Sequence, residues 1–274
     1  MTPRPLWLSG WLYAWAVLLA VLAVGPAVWL VMIALQPAGT DLLSLDGWKK
    51  GLTLANFKGA WEQGQLAGPL LNSVLVTGSR AFLNVFLAAL AAYPLARMQF
   101  RGRGLILVVI LATMMIPEQV IVVPMFQTIV SMGLVDSLVA VVIPFSVSAF
   151  GIFMCRQAFM AIPPSLEEAA RIDGANSWQV WWNVMVPLSA PTLATLALFS
   201  VIGAWSELLW PLVVLQSQEQ YTLPVAVNQL LGDFATNVRL AYAGSVLALI
   251  PIIVLFLMSQ RFLKPEMFGG AVKG

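Results

Sequence analysis

Histidine is absent, cysteine occurs once, at Cys155, and only 9% of the 274 residues are charged. Each scarcity removes a class of chemistry. Without histidine there is no H-E-x-x-H zinc motif, no Ser-His-Asp triad and no imidazole proton relay. A single cysteine allows neither an internal disulfide nor a multi-cysteine metal site. The dipeptide Gly-Lys does not occur, so no Walker A loop is available to cradle a nucleotide phosphate. The five aspartates, Asp41, Asp46, Asp136, Asp173 and Asp233, fall outside the apolar segments, which leaves no pair for an intramembrane aspartyl enzyme. What is abundant is apolar: 60% of the chain, where a soluble domain would carry roughly 25% charge. A crossing of the ~30 Å hydrocarbon layer takes ~20 apolar residues, so the chain reads as an all-α polytopic membrane protein.

Six spans are expected, at about 11–35, 70–96, 104–130, 137–156, 188–212 and 240–262, as one transmembrane domain over residues 1–274. An even number puts both termini on one side. With the termini inside, the inner segments carry Arg4, Arg97, Arg101, Arg103, Arg156, Arg171, Arg261, Lys264 and Lys273, against Lys49, Lys50, Lys58 and Arg239 outside. That asymmetry obeys the positive-inside bias, so both termini are expected in the cytoplasm. Trp7, Trp11, Trp48, Trp61 and Trp210 fall near the proposed boundaries and read as interface-belt residues.

The longest inner connection, 163–187, describes two short helices and a hinge. Pro163-Pro164 stop the preceding span, and Ser165 with Glu168 has the spacing of a capping box, which starts a helix at Leu166. Glu167 and Arg171 stand at i, i+4 in the favoured order, and Asp173-Gly174 ends the helix with glycine in the left-handed cap. Asn176-Ser177 is a second cap, after which Trp178, Trp181, Trp182 and Met185 recur at helical spacing as one apolar face. A short charged helix held beneath a membrane bundle suits a groove on another protein.

Here the sequence resembles a known family, the membrane permeases of ATP-binding cassette importers, and within it the carbohydrate-uptake group that includes the maltose permease pair. The family pattern is E-A-A, three residues, G, nine residues, I-x-L-P. Glu168-Ala169-Ala170, Gly174, Val184, Val186 and Pro187 match it at every spacing, with valine in place of isoleucine and leucine. Ala204-Trp205-Ser206-Glu207-Leu208-Leu209-Trp210-Pro211-Leu212 is similar to the family's W-N-E-F-L-W-P-L segment, with Ser206 and Leu208 as departures. Thr222-Leu223-Pro224-Val225, Asn72-Ser73, Ala91 to Arg97, Met114 to Pro117 and the terminal Gly270-Ala271-Val272-Lys273-Gly274 extend the likeness over about residues 70–274.

The resemblance implies a permease subunit forming half of a pathway for a sugar or related polyol, in a bacterial inner membrane. It implies a second permease subunit of a different chain, two ATPase subunits that bind ATP and magnesium, and an extracytoplasmic solute-binding protein. No enzyme activity, cofactor, metal or nucleic acid is implied for this chain itself. On that reading Glu167, Glu168, Ala169, Ala170, Asp173 and Gly174 form the ATPase-coupling element, with Ala169, Ala170 and Gly174 small to permit close approach. Gly270, Ala271, Val272, Lys273 and Gly274 form a tail that reaches the ATPase subunits, and residues 216–239 form the loop toward the binding protein.

Charges within the spans form a second group. A charge near mid-bilayer costs about 2.5–3.5 kcal/mol on insertion scales, so Arg80, Glu118 and Glu207 require partners or a wet cavity. Counting ~1.5 Å per residue, Arg80 lies ~15 Å into its span, Glu118 ~21 Å above the inner end of its own, and Glu207 ~29 Å from Pro187. Facing the bundle, Arg80 and Glu118 are expected either to pair structurally or, with Asn72 and Glu207, to line the translocation path. Pro117 and Pro124 share one face of the third span, as a kink or a moving gate. An ion-coupled secondary transporter using Arg80, Glu118 and Glu207 is the alternative, weakened by the absence of repeated halves. A purely structural scaffold is the last one.

Overall fold

A computed structural model describes residues 6–37, 39, 51–233 and 238–259. The tail Gly270 to Gly274 lies outside them, as do Asp41, Asp46, Trp48, Arg261 and Lys264. Among the described residues every regular element is helical: α1 Leu6–Ala34, α2 Ala55–Gln63, α3 Ala67–Arg97, α4 Arg103–Thr113, α5 Glu118–Ser131, α6 Leu138–Val142 and α7 Ala149–Ala161. They continue with α8 Pro164–Ile172, α9 Ser177–Leu188, α10 Ala190–Ser206, α11 Leu209–Val214, α12 Leu223–Asp233 and α13 Val238–Ser259.

Among the described residues, three continuous helical stretches are long and apolar enough to cross a membrane: Trp11–Ala34, Ala67–Arg97 and Val238–Leu257. They coincide with the first, second and sixth expected spans. The other three are not straight. α4 and α5 meet at 99°, Leu138–Phe145 and α7 at 47°, and α9 and α10 at 78°, so six crossings result when each bent pair counts as one. Local chemistry accounts for the breaks. Pro117 has an extended backbone and caps α5, and a proline also drives the residue before it out of the helical region. Ser148 is extended, and its hydroxyl accepts the Gly151 N–H at 3.0 Å to start α7. The expected span 188–212 is interrupted as well, since Glu207 is extended between α10 and α11 and its carboxylate accepts the Trp210 N–H at 3.2 Å.

By its internal contacts the chain divides into two compact units, 1–67 with 226–250, and 68–225 with 251–274. In the first, α1 is apolar all round and exposed along most of its described length. A helix of that kind is stable only where hydrocarbon or another protein covers it. Its end is tied down by Asn56 of α2, whose amide donates to the carbonyls of Ala34 at 2.8 Å and Gln36 at 2.7 Å. These are carbonyls that a helix terminus leaves without partners.

In the second unit, α3 runs through two packed clusters. One holds Ala88, Ala89, Ala92 and Tyr93 of α3 against Cys155 and Phe159 of α7, Trp181 and Met185 of α9, and Leu196 of α10. Packing at closely approaching backbones, rather than burial from water, drives helix association in a bilayer, and the alanine face of α3 supplies that approach. The other cluster joins Val76 of α3, Ile129 of α5, Ala140 and Val141 of α6, and Trp210 and Val214 of α11. Trp210 is therefore not a belt residue: it is 1% exposed, and its indole N–H donates to the Ala140 carbonyl at 3.0 Å. Trp11 and Trp61 are exposed.

Candidate functional site: a docked helix and a polar cavity

The helix that carries the E-A-A pattern is built as a lever anchored on one side. α8 begins at Pro164, with Pro163 as cap and no side-chain capping bond, so the expected Ser165–Glu168 box does not form. Proline at the first helical position gives up a donor that has no partner there in any case. Glu167 faces inward. Its Oε1 accepts the Tyr93 hydroxyl of α3 at 3.0 Å and the Arg171 guanidinium at 2.9 Å, and its Oε2 lies 3.6 Å from Arg97 Nε. Arg97 in turn donates to the carbonyls of Phe159, at 2.8 Å, and Ile162, closing the end of α7. The bond to Glu167 holds the Arg171 pKa above its already high ordinary value.

The opposite face of α8 is open among the described residues. Leu166, Glu168, Ala169, Ile172 and Asp173 are exposed, Ile172 at 86%, while Ala170 turns in against the first cluster. Leu166, Ala169 and Ile172 at i, i+3, i+6 form an apolar ridge flanked by the two carboxylates. Gly174 has φ +85°, and a Cβ there would meet nothing within 4 Å. Within this chain, then, its backbone conformation demands glycine, and close approach does not.

The second cap is as expected: the Asn176 side chain accepts the Gln179 N–H at 2.9 Å, and Gln179 Oε1 accepts the Asn176 N–H at 2.8 Å. The four-residue aromatic face is not. Trp181–Met185 is a π turn that buries Val180, Trp181 and Met185 and leaves Trp178 and Trp182 half exposed. The wider turn changes the angular spacing, so residues at 3.6-residue periodicity no longer share a face. Trp181 is held by an indole bond to the Ala89 carbonyl at 3.2 Å.

The second feature is a cavity of about 730 Å³ between the two clusters. Arg80 and Asn84 of α3, Glu118 at the start of α5, Phe145, and Ser200 and Phe199 of α10 are among its lining residues. Asn84 organises it: the amide donates to Ser200 Oγ at 2.8 Å, and the amide oxygen accepts the Ser148 N–H at 2.8 Å, linking three elements. Arg80 is 8% exposed and lies over the Phe145 ring, 4.4 Å from its centroid, a cation–π contact. Its Nη1 has no hydrogen-bond partner. The expected Arg80–Glu118 ion pair is not formed, and among the described residues no carboxylate is within 4.0 Å of Arg80. The 99° break explains why: heights counted along a straight helix do not apply to Glu118.

Asn72 and Glu207 do not line this cavity. Asn72 holds the segment before α12, its amide donating to the carbonyls of Glu219 at 2.8 Å and Tyr221 at 2.9 Å. Ser73 accepts the Leu223 N–H at 2.7 Å. The sequence singles out Asn72 and Arg80 on α3, whereas Ser73, Thr77, Arg80 and Asn84 are the polar residues buried there. Their i, i+4, i+7, i+11 spacing, one polar stripe along an apolar span, was the available signal. Asp136, also passed over, has φ +60°, and its Oδ1 accepts the N–H of Gln216 at 2.8 Å and of Ser217 at 2.9 Å. Those two bonds hold its pKa below the usual aspartate value.

A multi-span helical bundle with bent crossings, a polar cavity and an outward-facing amphipathic helix defines a membrane permease subunit. The comparisons agree: the chain belongs to the family of binding-protein-dependent transport system inner membrane components, whose sequence profile matches residues 84–269. It is 32% identical over 261 residues, 94% of this chain and 93% of the other, to the arabinooligosaccharides transport system permease protein AraQ of Bacillus subtilis (strain 168). It is 33% identical over 270 residues, 95% and 97%, to the trehalose transport system permease protein SugB of Mycobacterium tuberculosis (strain CDC 1551 / Oshkosh). The fold is shared with a chain in the crystal structure of a bacterial ABC transporter involved in the import of the acidic polysaccharide alginate. That match has a TM-score of 0.81 and 24% identity, and covers 96% of this chain and 99% of that one.

Proposed function

We propose that this chain forms half of the transmembrane pathway of an ATP-driven importer for a saccharide, with α8 as the element that couples the pathway to ATP hydrolysis. The supporting observation is the two-sided build of α8. Glu167 is tied to Tyr93, Arg97 and Arg171, so motion of the helix is transmitted to α3, while the Leu166–Ala169–Ile172 ridge with Glu168 and Asp173 is left open for a partner. The partner of that ridge is an ATPase subunit, one of two, which holds ATP and magnesium. A second, different permease chain completes the pathway, and an extracytoplasmic binding protein delivers the sugar. Relatives named for arabinooligosaccharides and trehalose support a saccharide substrate. The excess of arginines and lysines in segments 97–103, 156–187 and 263–274 supports a cytoplasmic position for both termini and α8 in a bacterial cell.

An ion relay through Arg80, Glu118 and Glu207 has little to run along, since among the described residues Arg80 has no carboxylate within 4.0 Å. The experiment reconstitutes the chain with its partner permease, ATPase and binding protein and measures ATP hydrolysis stimulated by sugar-loaded binding protein. Glu168→Lys and Ile172→Asp are expected to lower the stimulation about tenfold, the effect of losing ~1.4 kcal/mol of docking free energy, while all subunits still copurify. Stimulation equal to wild type in both variants refutes the coupling role.

A further inference from the structure

The loop that carries α8 continues into α9, whose outer face has no role in the proposed function. α9 meets α10 at 78°, so the chain enters its fifth crossing from a helix lying across that crossing. The π turn divides the aromatic cluster of α9. Trp181 is buried, edge-on to Phe86 of α3 with ring centroids 5.9 Å apart, and its indole N–H donates to the Ala89 carbonyl. Trp178 and Trp182 flank it, with centroids 4.8 and 5.6 Å from its own, and remain 55% and 53% exposed. The amides of Gln179 and Asn183 lie beside them and are exposed too.

The bond to Ala89 sets the depth of this cluster. The 31 residues of α3 extend ~46 Å, close to the ~40–45 Å of a bilayer with its headgroups, which puts Arg97 at the inner edge of the headgroup layer. Ala89 stands eight residues before Arg97, ~12 Å further in, and a helix tilt of ~20° shortens that only to ~11 Å. Headgroups occupy ~5–8 Å of each leaflet, so Trp181 is anchored beyond them, level with the hydrocarbon. The rings of Trp178 and Trp182, 4.8 and 5.6 Å from that of Trp181, therefore straddle the boundary between headgroups and hydrocarbon.

That depth selects the occupant. A water-soluble subunit docked on α8 lies below the plane of Arg97 and does not reach so far in. A neighbouring membrane chain packs where small residues let backbones approach closely, whereas this face offers two protruding indoles. An indole, with an apolar body and a single N–H donor, is suited to the layer where headgroups meet acyl chains, and helices with such faces settle ~5–10 Å into it. We propose that α9 is a membrane-interface element whose Trp178 and Trp182 insert into the cytoplasmic leaflet at the headgroup–acyl boundary. This rests on the cytoplasmic placement of α8 above and gives the coupling loop two attachments of different chemistry. α8 presents its ridge to a protein, and α9 presents its indoles to phospholipid, so the lever turns on a base held by the bilayer.

The test introduces the photoreactive residue p-benzoylphenylalanine singly in place of Trp178, Trp182 or Ile172. The whole transporter is reconstituted in vesicles of phosphatidylethanolamine and phosphatidylglycerol, irradiated, and its adducts are identified by mass spectrometry. Trp178→p-benzoylphenylalanine and Trp182→p-benzoylphenylalanine should yield phospholipid adducts, and Ile172→p-benzoylphenylalanine an adduct with the ATPase subunit. In a second measurement, the double variant Trp178→Phe with Trp182→Phe should lose part of the emission amplitude that lipids brominated just below the headgroup quench in wild type. Adducts of positions 178 and 182 with the second permease or the ATPase, no lipid adduct at either position, or a quenched amplitude equal to wild type overturns the membrane face. Lipid adducts at 178 and 182 without an ATPase adduct at 172 overturn the coupling role of α8 and leave the membrane face standing.

Discussion

Replacing Glu167 by alanine should free α8 from α3 while leaving its outer face intact. Three arms are lost. The Tyr93 hydroxyl bond at 3.0 Å is charge-assisted and mostly shielded, worth about 1.5–3 kcal/mol. The Arg171 arm at 2.9 Å involves a side chain 45% exposed, so solvent screening reduces it to about 0.5 kcal/mol. The Arg97 arm is an ion pair at 3.6 Å, and Arg97 keeps its carbonyl partners, so its loss adds no more than about 0.5 kcal/mol. The total is about 2–4 kcal/mol, or roughly 30- to 1000-fold in the local opening equilibrium. Amide hydrogen exchange of the assembled transporter reads this directly as faster exchange over residues 164–174. Glu168→Ala, on the exposed face, should leave exchange in the isolated chain unchanged. Exchange in Glu167→Ala within threefold of wild type would show that α8 is not held by this carboxylate, and the lever argument would fail with it.

Two further outcomes follow from single contacts. The Asp136 pKa is lowered by the N–H groups of Ser217 and Gln216, so its stabilising contribution is complete above the ordinary carboxylate pKa of ~3.9 and is lost as pH falls through the lower folded value. Thermal melting of wild type relative to Asp136→Asn should therefore show a constant difference above pH ~5 that shrinks below pH ~4; a difference independent of pH would contradict the carboxylate clamp. At Gly151 an added Cβ would lie 2.9 Å from Ser148 Oγ and 3.2 Å from both Ala88 Cβ and Asn84 Oδ1, so Gly151→Ala should destabilise the protein by about 1–3 kcal/mol. Gly78→Ala, with nothing within 4 Å of its Cβ, should raise the melting temperature slightly, and equal melting of the two variants would refute the packing argument.

Much of the architecture was legible because it follows from local chemistry. The uncharged run after Trp11 has to cross a bilayer, and Asn176 and Gln179 close a capping box with no help from afar. Glu167 and Arg171 meet because one helical turn places them together. Where expectation and structure part, a longer-range choice intervened. Trp210 at a span boundary suits an interface belt, yet the Ala140 carbonyl and the Phe145 ring provide it with a better-satisfied interior position. Ser165 and Glu168 have the spacing of a capping box, but the two prolines before them start the helix two residues earlier.

The sequence by itself determined the class of protein, the apolar runs and the short charged helix between them, since each depends on hydropathy, spacing or a motif carried by neighbouring residues. Only the tertiary structure decided that Glu167 points inward and Glu168 outward, that Asn72 and Asp136 serve as clamps, and that Arg80 rests on Phe145 rather than on a carboxylate. Those outcomes depend on how bent spans pack, and a bend of 99° after Thr113 moves Glu118 to a place that no count of rise per residue can give.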